Sequence, residues 1–165
     1  MRLRSFARLL LLSFAIVCIL ASGALAQNSV PDFSGTWVLD LSKSKLAKHA
    51  TPDAETLIIA ASDSSIRIDI SFSGGKETHN WIPDGKEHLR IELRDRSYAG
   101  QLFEKAHWAK GVLITELISR VSMPGQAVDG FEPIHSTERW SLSSDKTTLT
   151  RTMDDPKQVW VYVKQ

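Results

Sequence analysis

Ile66-Arg67-Ile68-Asp69-Ile70-Ser71-Phe72-Ser73 alternates apolar and polar residues without a break. A period of two places the isoleucines and Phe72 on one side of an extended chain and the polar residues on the other. Such a strand belongs to a sheet with one buried and one wet face. Gly74-Gly75 ends the run.

The same texture continues in both directions. Glu55–Ala61 precedes it, separated by Asp63-Ser64-Ser65. Lys76–Ile82 and Glu87–Leu93 flank Pro83-Asp84-Gly85-Lys86, where Asp-Gly offers the positive φ of a tight hairpin. A two-residue hairpin there sets Trp81 opposite His88 and His79 opposite Arg90. Leu89, Ile91 and Leu93 then face the core, while Arg90 and Glu92 face water. A bulge at Gly85 would reverse these faces. Further strands read as Gly35–Leu41, Gly100–Trp108, Val112–Val121, Ile134–Leu142, Thr147–Met153 and Gln158–Lys164. Ser42–His49 is the best helix candidate, and Ser122–Pro133 is irregular, with Pro124, Gly125, Gly130 and Pro133.

Short strands at hairpin spacing, with at most one short helix, indicate an all-β fold. Strands joined to their sequence neighbours run up and down. An open meander of this length would expose two pairing edges, and closing it removes them. The expectation is a closed antiparallel up-and-down β-barrel of about 8–10 strands, with a sandwich as the alternative.

The start of the chain has a different character. Arg2, Arg4 and Arg8 precede the apolar run Leu9–Leu20, and Ala24-Leu25-Ala26 closes the segment. A basic start, an apolar centre too short to span a bilayer and an A-x-A end read as a signal peptide over residues 1–26. Residues 27–165 then form one domain, periplasmic or secreted. The only cysteine, Cys18, leaves with the leader, so neither a disulfide framework nor a thiolate site is available. With 20 Lys+Arg against 19 Asp+Glu, no basic excess exists to hold a nucleic-acid backbone. No second apolar run is long enough to cross a membrane.

Phe33-Ser34-Gly35-Thr36-Trp37-Val38-Leu39 resembles the Gly-x-Trp opening of lipocalins and fatty-acid-binding proteins. In those families the motif begins the first barrel strand and its Trp plugs the closed end. Lys146–Met153 followed by Val159-Trp160-Val161-Tyr162 resembles their final hairpin, which closes on the first strand. Phe33–Leu46 and the Asp-Gly-Lys turn also resemble secreted bacterial lipocalin-like proteins, a group without an established function. The resemblance implies a calycin barrel. It departs from the family where fatty-acid-binding proteins carry Arg-x-Tyr to grip a carboxylate: Trp160 and Tyr162 stand there instead. Arg139 or Arg151, on neighbouring strands, replaces the missing cation only if its side chain points inward. The second Thr-Asp-Tyr type motif of typical lipocalins is missing, and Leu41 to Glu55 leaves no room for a two-helix lid.

No reactive constellation stands out. His79 and His88 would be diagonal neighbours on one face of the Asp-Gly hairpin, a spacing that fits a metal only with Glu77 or Glu92 as third ligand. That face reads as solvated surface. His135 stands where nitrobindin-type barrels keep a haem ligand, but nothing around it repeats their motif, so it reads as an exposed strand end. There is no Gly-x-Ser-x-Gly elbow and no phosphate loop. Glu104, Glu116, Glu138 and Arg120 sit in apolar strand contexts, and Glu116, between Ile114 and Ile118, is the best interior acid or base, against a reading as an outward residue or as a salt-bridge partner of Arg120 along the strand.

These residues imply an exported, monomeric binding protein for a small, largely apolar molecule held inside the barrel. The expected lining is Ile68, Ile70, Phe72, Leu89 and Ile91, with polar contacts from Arg139, Arg151 and Tyr162. No catalytic residue, metal or cofactor is assigned. Five tryptophans, Trp37, Trp81, Trp108, Trp140 and Trp160, fall on five strands and line a cavity or cover the outer face. The alternatives are a barrel enzyme using Glu116 and an interaction module with a solid interior. A cavity holding Glu116 beside a second titratable group would favour the enzyme, and an apolar cavity the binder.

Overall fold

The computed structural model describes residues 30–47, 54–62, 64–94, 99–122, 132–154 and 157–165. The leader, His49 and most of Ser122–Pro133 lie outside these residues.

Ten antiparallel strands form, in chain order β1 Gly35–Leu39, β2 Glu55–Ala61, β3 Ile66–Phe72, β4 Gly75–Trp81, β5 Glu87–Arg94, β6 Ala99–Ala109, β7 Val112–Ser122, β8 Ile134–Leu142, β9 Thr148–Asp154 and β10 Lys157–Lys164. Their order across the sheet is β4-β3-β2-β1-β10-β9-β8-β7-β6-β5. This is the all-β, up-and-down order that the alternation predicts, curled into a barrel whose β4 and β5 edges are not joined by a ladder among the described residues. The first and last strands meet as expected, with Trp37 opposite Lys164 and Leu39 opposite Tyr162.

The Gly-x-Trp motif has a steric cause. Gly35 has φ of +138°, and a Cβ there would come within 2.8 Å of the Lys164 Cε. The Lys164 ammonium lies 5.2 Å from the Trp37 ring centroid, so the last strand drapes over the plug residue. Trp37 is fully buried, and its indole N–H donates to the Phe33 carbonyl at 2.9 Å.

The segment after β1 corrects the helix expected over Ser42–His49. Its described part is a turn followed by an isolated bridge. Lys45 exchanges two backbone hydrogen bonds with Val159, at 2.7 and 2.8 Å. The Val161 N–H donates to the Ser44 hydroxyl at 2.9 Å, and the Asp40 N–H donates to the Val161 carbonyl at 2.8 Å. β1 is too short to satisfy β10 along its length, and this segment supplies the remaining partners.

A second correction concerns Pro83–Lys86. Gly85 adopts the expected positive φ of 74°. Yet β4 and β5 do not pair as a hairpin; they are the two edges of the sheet. The Gly85 N–H donates to the Ala106 carbonyl on β6, and Asp84 accepts from the Lys86 N–H and contacts His88. These bonds hold the connection against β6, so no ladder pair joins β4 to β5 among the described residues.

The interior is packed at the end where β1 begins. Phe33, Trp37, Leu57, Ile59, Ile66, Ile68, Leu113, Trp140 and Leu149 are all at most 3% exposed. The Trp81 and Trp140 rings meet across the barrel, from β4 to β8, with centroids 5.5 Å apart. All five tryptophans join this cluster, Trp108 as a half-buried member against Phe33. Replacing Trp37 by Ala removes the plug and its hydrogen bond. It should cost about 3–5 kcal/mol, read as a lower urea midpoint at unchanged slope.

Candidate functional site

The expected interior set divides when placed on this frame. Ile68 is fully buried and Ile70 is 7% exposed, while Phe72 is half-buried near the opposite, open end of the same strand. Leu89 is 52% exposed beside Phe103 on the outer face, which reverses the parity expected for it. The cause is a bulge between Leu89 and Ile91, with Arg90 as the extra residue. Beyond the bulge Ile91 pairs with Leu102, on the lumen side by alternation, but is 40% exposed. Leu93 has no described side-chain placement.

Arg90 turns inward as a result. Its guanidinium lies 3.0 Å from Glu104 Oε1 on β6, and His79 Nδ1 of β4 lies 2.9 Å from the same oxygen. One carboxylate, 9% exposed, thus links three strands across the unpaired seam. The sequence places His79 and Arg90 on a solvated outer face. A two-residue hairpin would have put them there; the bulge and the unpaired edges draw them in. His79 also stacks on Trp81, at 5.6 Å between centroids.

A cleft of about 60 Å³ lies above this group, bordered by His79, Trp81, Glu104, Thr115, Leu117 and Glu138. Leu117 shares the lumen face with Glu104, its register partner, and is still 36% exposed. The open end of the barrel therefore presents apolar and carboxylate groups side by side. Glu116 also borders the cleft, but its carboxylate accepts from Lys105 Nζ at 3.1 Å. By alternation with Thr115 and Leu117 it faces outward, as a salt-bridged wall residue. His135 is exposed at the start of β8.

Of the two arginines, Arg139 is exposed and paired with Asp154. Arg151 is the inward one. Its Nε donates to Glu138 Oε2 at 3.0 Å, and its Nη2 is bonded to Glu138 Oε1. The guanidinium carbon sits 5.2 Å from the Trp140 ring centroid and 5.3 Å from that of Trp160. Register explains this sandwich, because Trp140, Arg151 and Trp160 are direct partners on β8, β9 and β10. Burial opposes the charge on Arg151, but the Glu138 carboxylate outweighs it and holds the pKa above the ordinary arginine value.

Tyr162 extends the network. It is fully buried and donates to Glu55 Oε1 at 2.6 Å, while Arg151 interacts with its hydroxyl. Burial drives the phenol pKa upward; Arg151 pulls it down, but the Glu55 carboxylate reinforces the rise. Glu138, Arg151, Tyr162 and Glu55 thus form a chain over β8, β9, β10 and β2. The sequence reading passes over Glu55 and counts Glu138 only among the carboxylates set in apolar strand contexts. Glu138 lies in line with Trp140 at period two, the one signal that marks it as inward.

Two donors in this region stand alone. The indole N–H groups of Trp140 and Trp160 are buried and meet no acceptor. An orphaned donor costs roughly 1–3 kcal/mol.

No family model and no curated protein matches the chain. Among solved structures it is similar to the REP1-NXSQ fatty acid transporter, with 14% identity over 81% of this chain and 96% of that one, at a TM-score of 0.54. A point mutant of that transporter aligns with 11% identity over 81% of this chain and 98% of that one, at a TM-score of 0.55. The likeness is one of fold: an antiparallel up-and-down β-barrel.

Two outcomes follow from the buried network. Glu138→Gln strands Arg151 without its counter-charge and should cost about 3–5 kcal/mol in urea unfolding, whereas Glu138→Leu combined with Arg151→Met should retain most of the wild-type stability. Tyr162 is neutral in the fold, with a pKa raised above its unfolded value. Its contribution is complete below the unfolded tyrosine pKa and is lost as pH rises past it. Stability should therefore fall from about pH 10 upward, and Tyr162→Phe should flatten part of that slope. Equal slopes in the two proteins would refute the assignment.

Proposed function

We propose that this protein is an exported binding protein that holds a small, largely apolar molecule in the lumen of the barrel without transforming it. The observation that carries the reading is the asymmetry of the interior. One end is sealed by the tryptophan cluster, with Trp81 and Trp140 in contact across the barrel. Toward the other end Phe72 is only half-buried, and a cleft opens that is bordered by the exposed Leu117 with His79, Glu104 and Glu138. Apolar wall, aromatic floor and a few convergent polar groups are the features of a small-molecule site. Affinity would come from apolar area removed from water, at about 25 cal/mol per Å².

The fold likeness to a fatty acid transporter supports a lipid-like ligand. The basic-apolar-small pattern of residues 1–26 supports export, with Gln27 as the first mature residue. The seam between β4 and β5 supports an entry route, because side chains rather than backbone ladders bridge it.

The test is native mass spectrometry of protein purified from its own cells, followed by titration with Nile red, an uncharged dye that brightens in apolar surroundings. The expected results are a chain mass beginning at Gln27, a co-purifying small molecule, and dye binding that Phe72→Trp weakens roughly tenfold by narrowing the lumen. No bound molecule and no dye uptake would overturn the reading.

A further inference from the structure

The polar chemistry of the lumen discriminates between classes of ligand. Arg151 is the cation nearest the tyrosine of the last strand, and both of its bonded arms end on Glu138. The Tyr162 hydroxyl proton is committed to Glu55. These groups sum to one formal positive charge against two negative. Toward the open end, Glu104 is matched by Arg90 and contacts His79. An anionic headgroup entering this region meets carboxylates already in the places where it would bind. It also finds no cation free to receive it among Arg90, Arg139 and Arg151, since each is paired with an acid.

What this region lacks is an acceptor for two of its buried donors. The indole N–H groups of Trp140 and Trp160 flank Arg151 on either side, on β8 and β10, and neither has a partner. Trp140 is 1% exposed and Trp160 is 9% exposed. Trp140 also touches Trp81, which borders the cleft, so one ring separates it from that space. A cationic ligand would suit the excess of carboxylates but would bring donors to donors. An uncharged molecule bearing oxygen acceptors satisfies both conditions: it adds no charge beside Glu138 and Glu55, and it answers the orphaned N–H groups.

We infer that the lumen selects an uncharged apolar ligand whose carbonyl, ester or hydroxyl oxygen accepts from the indole N–H groups of Trp140 and Trp160. The inference rests on the binding reading above and deepens it by naming the ligand's polar end. It separates this barrel from one that binds a free fatty carboxylate.

The experiment uses Nile red displacement from the wild-type protein by three matched probes: dodecanoate, dodecylammonium and methyl dodecanoate. The ester should displace the dye at a concentration about tenfold lower than either ion, a difference the paired charges would impose. In protein labelled with ¹⁵N at tryptophan, adding the ester should move the indole N–H signals of Trp140 or Trp160, assigned through Trp140→Phe and Trp160→Phe. Each of these variants should narrow the ester's advantage by a factor of about five while Nile red still binds. Preference for dodecanoate or dodecylammonium would overturn the inference and leave the binding reading intact, as would indole signals that stay in place when the ester binds. Failure of Nile red itself to bind would instead remove the binding reading on which the inference stands.

Discussion

The barrel depends on a single carboxylate at the place where its sheet fails to close. β4 and β5 are the free edges, and an edge strand presents unpaired N–H and C=O groups that invite other chains. Glu104 takes contacts from His79 on one edge and Arg90 on the other. The Gly85 N–H adds a backbone tie to Ala106 two residues further along β6. The edges are thus held to a third strand rather than to each other. This leaves the seam chemically different from every other strand boundary, because side-chain ion pairs can part without breaking a ladder.

The bulge at Arg90 is what makes this possible. In an unbroken alternation, Leu89 and Ile91 would both face in and Arg90 would face water. The extra residue frees Arg90 to reach Glu104 and leaves Leu89 on the surface. Apolar burial on β5 is given up for an ion pair. The packed core elsewhere compensates: four tryptophans, at 0 to 9% exposure, fill the closed half and cross from wall to wall.

Much of this fold was legible in the sequence, and the rest was hidden for a definite reason. Period two over Ile66–Phe72 and its neighbours places each strand within two residues, because burial on one face leaves a local signature. Gly35 and Trp37 mark the closure, because a φ of +138° at the start of the first strand is strained for any residue with a side chain. What alternation cannot carry is a change of parity within a strand or the identity of spatial neighbours. Asp84-Gly85 looks like a hairpin turn and has the φ of one, yet its bonding goes to β6. Arg139 and Arg151 look equivalent on paper. Only the register of β8 against β9 sends one to Asp154 at the surface and the other between two indoles.

That register also explains how the polar lumen relates to the Arg-x-Tyr grip of fatty-acid-binding proteins. Where the resemblance would put that arginine the chain has Trp160, and its register partner one strand over is Arg151. The tyrosine is retained as Tyr162. A buried guanidinium must have a counter-charge wherever it sits. In a carboxylate-binding barrel the ligand can supply that charge. Here the chain supplies it, through Glu138 on the next strand, and supplies Glu55 to Tyr162 as well. The electrostatic requirement is therefore met by the chain's own residues. The donors still unmet are the indole N–H groups of Trp160 and of Trp140 across Arg151. An arginine already countered by the chain's own carboxylate leaves the two indoles as the polar groups in this region that still want a partner.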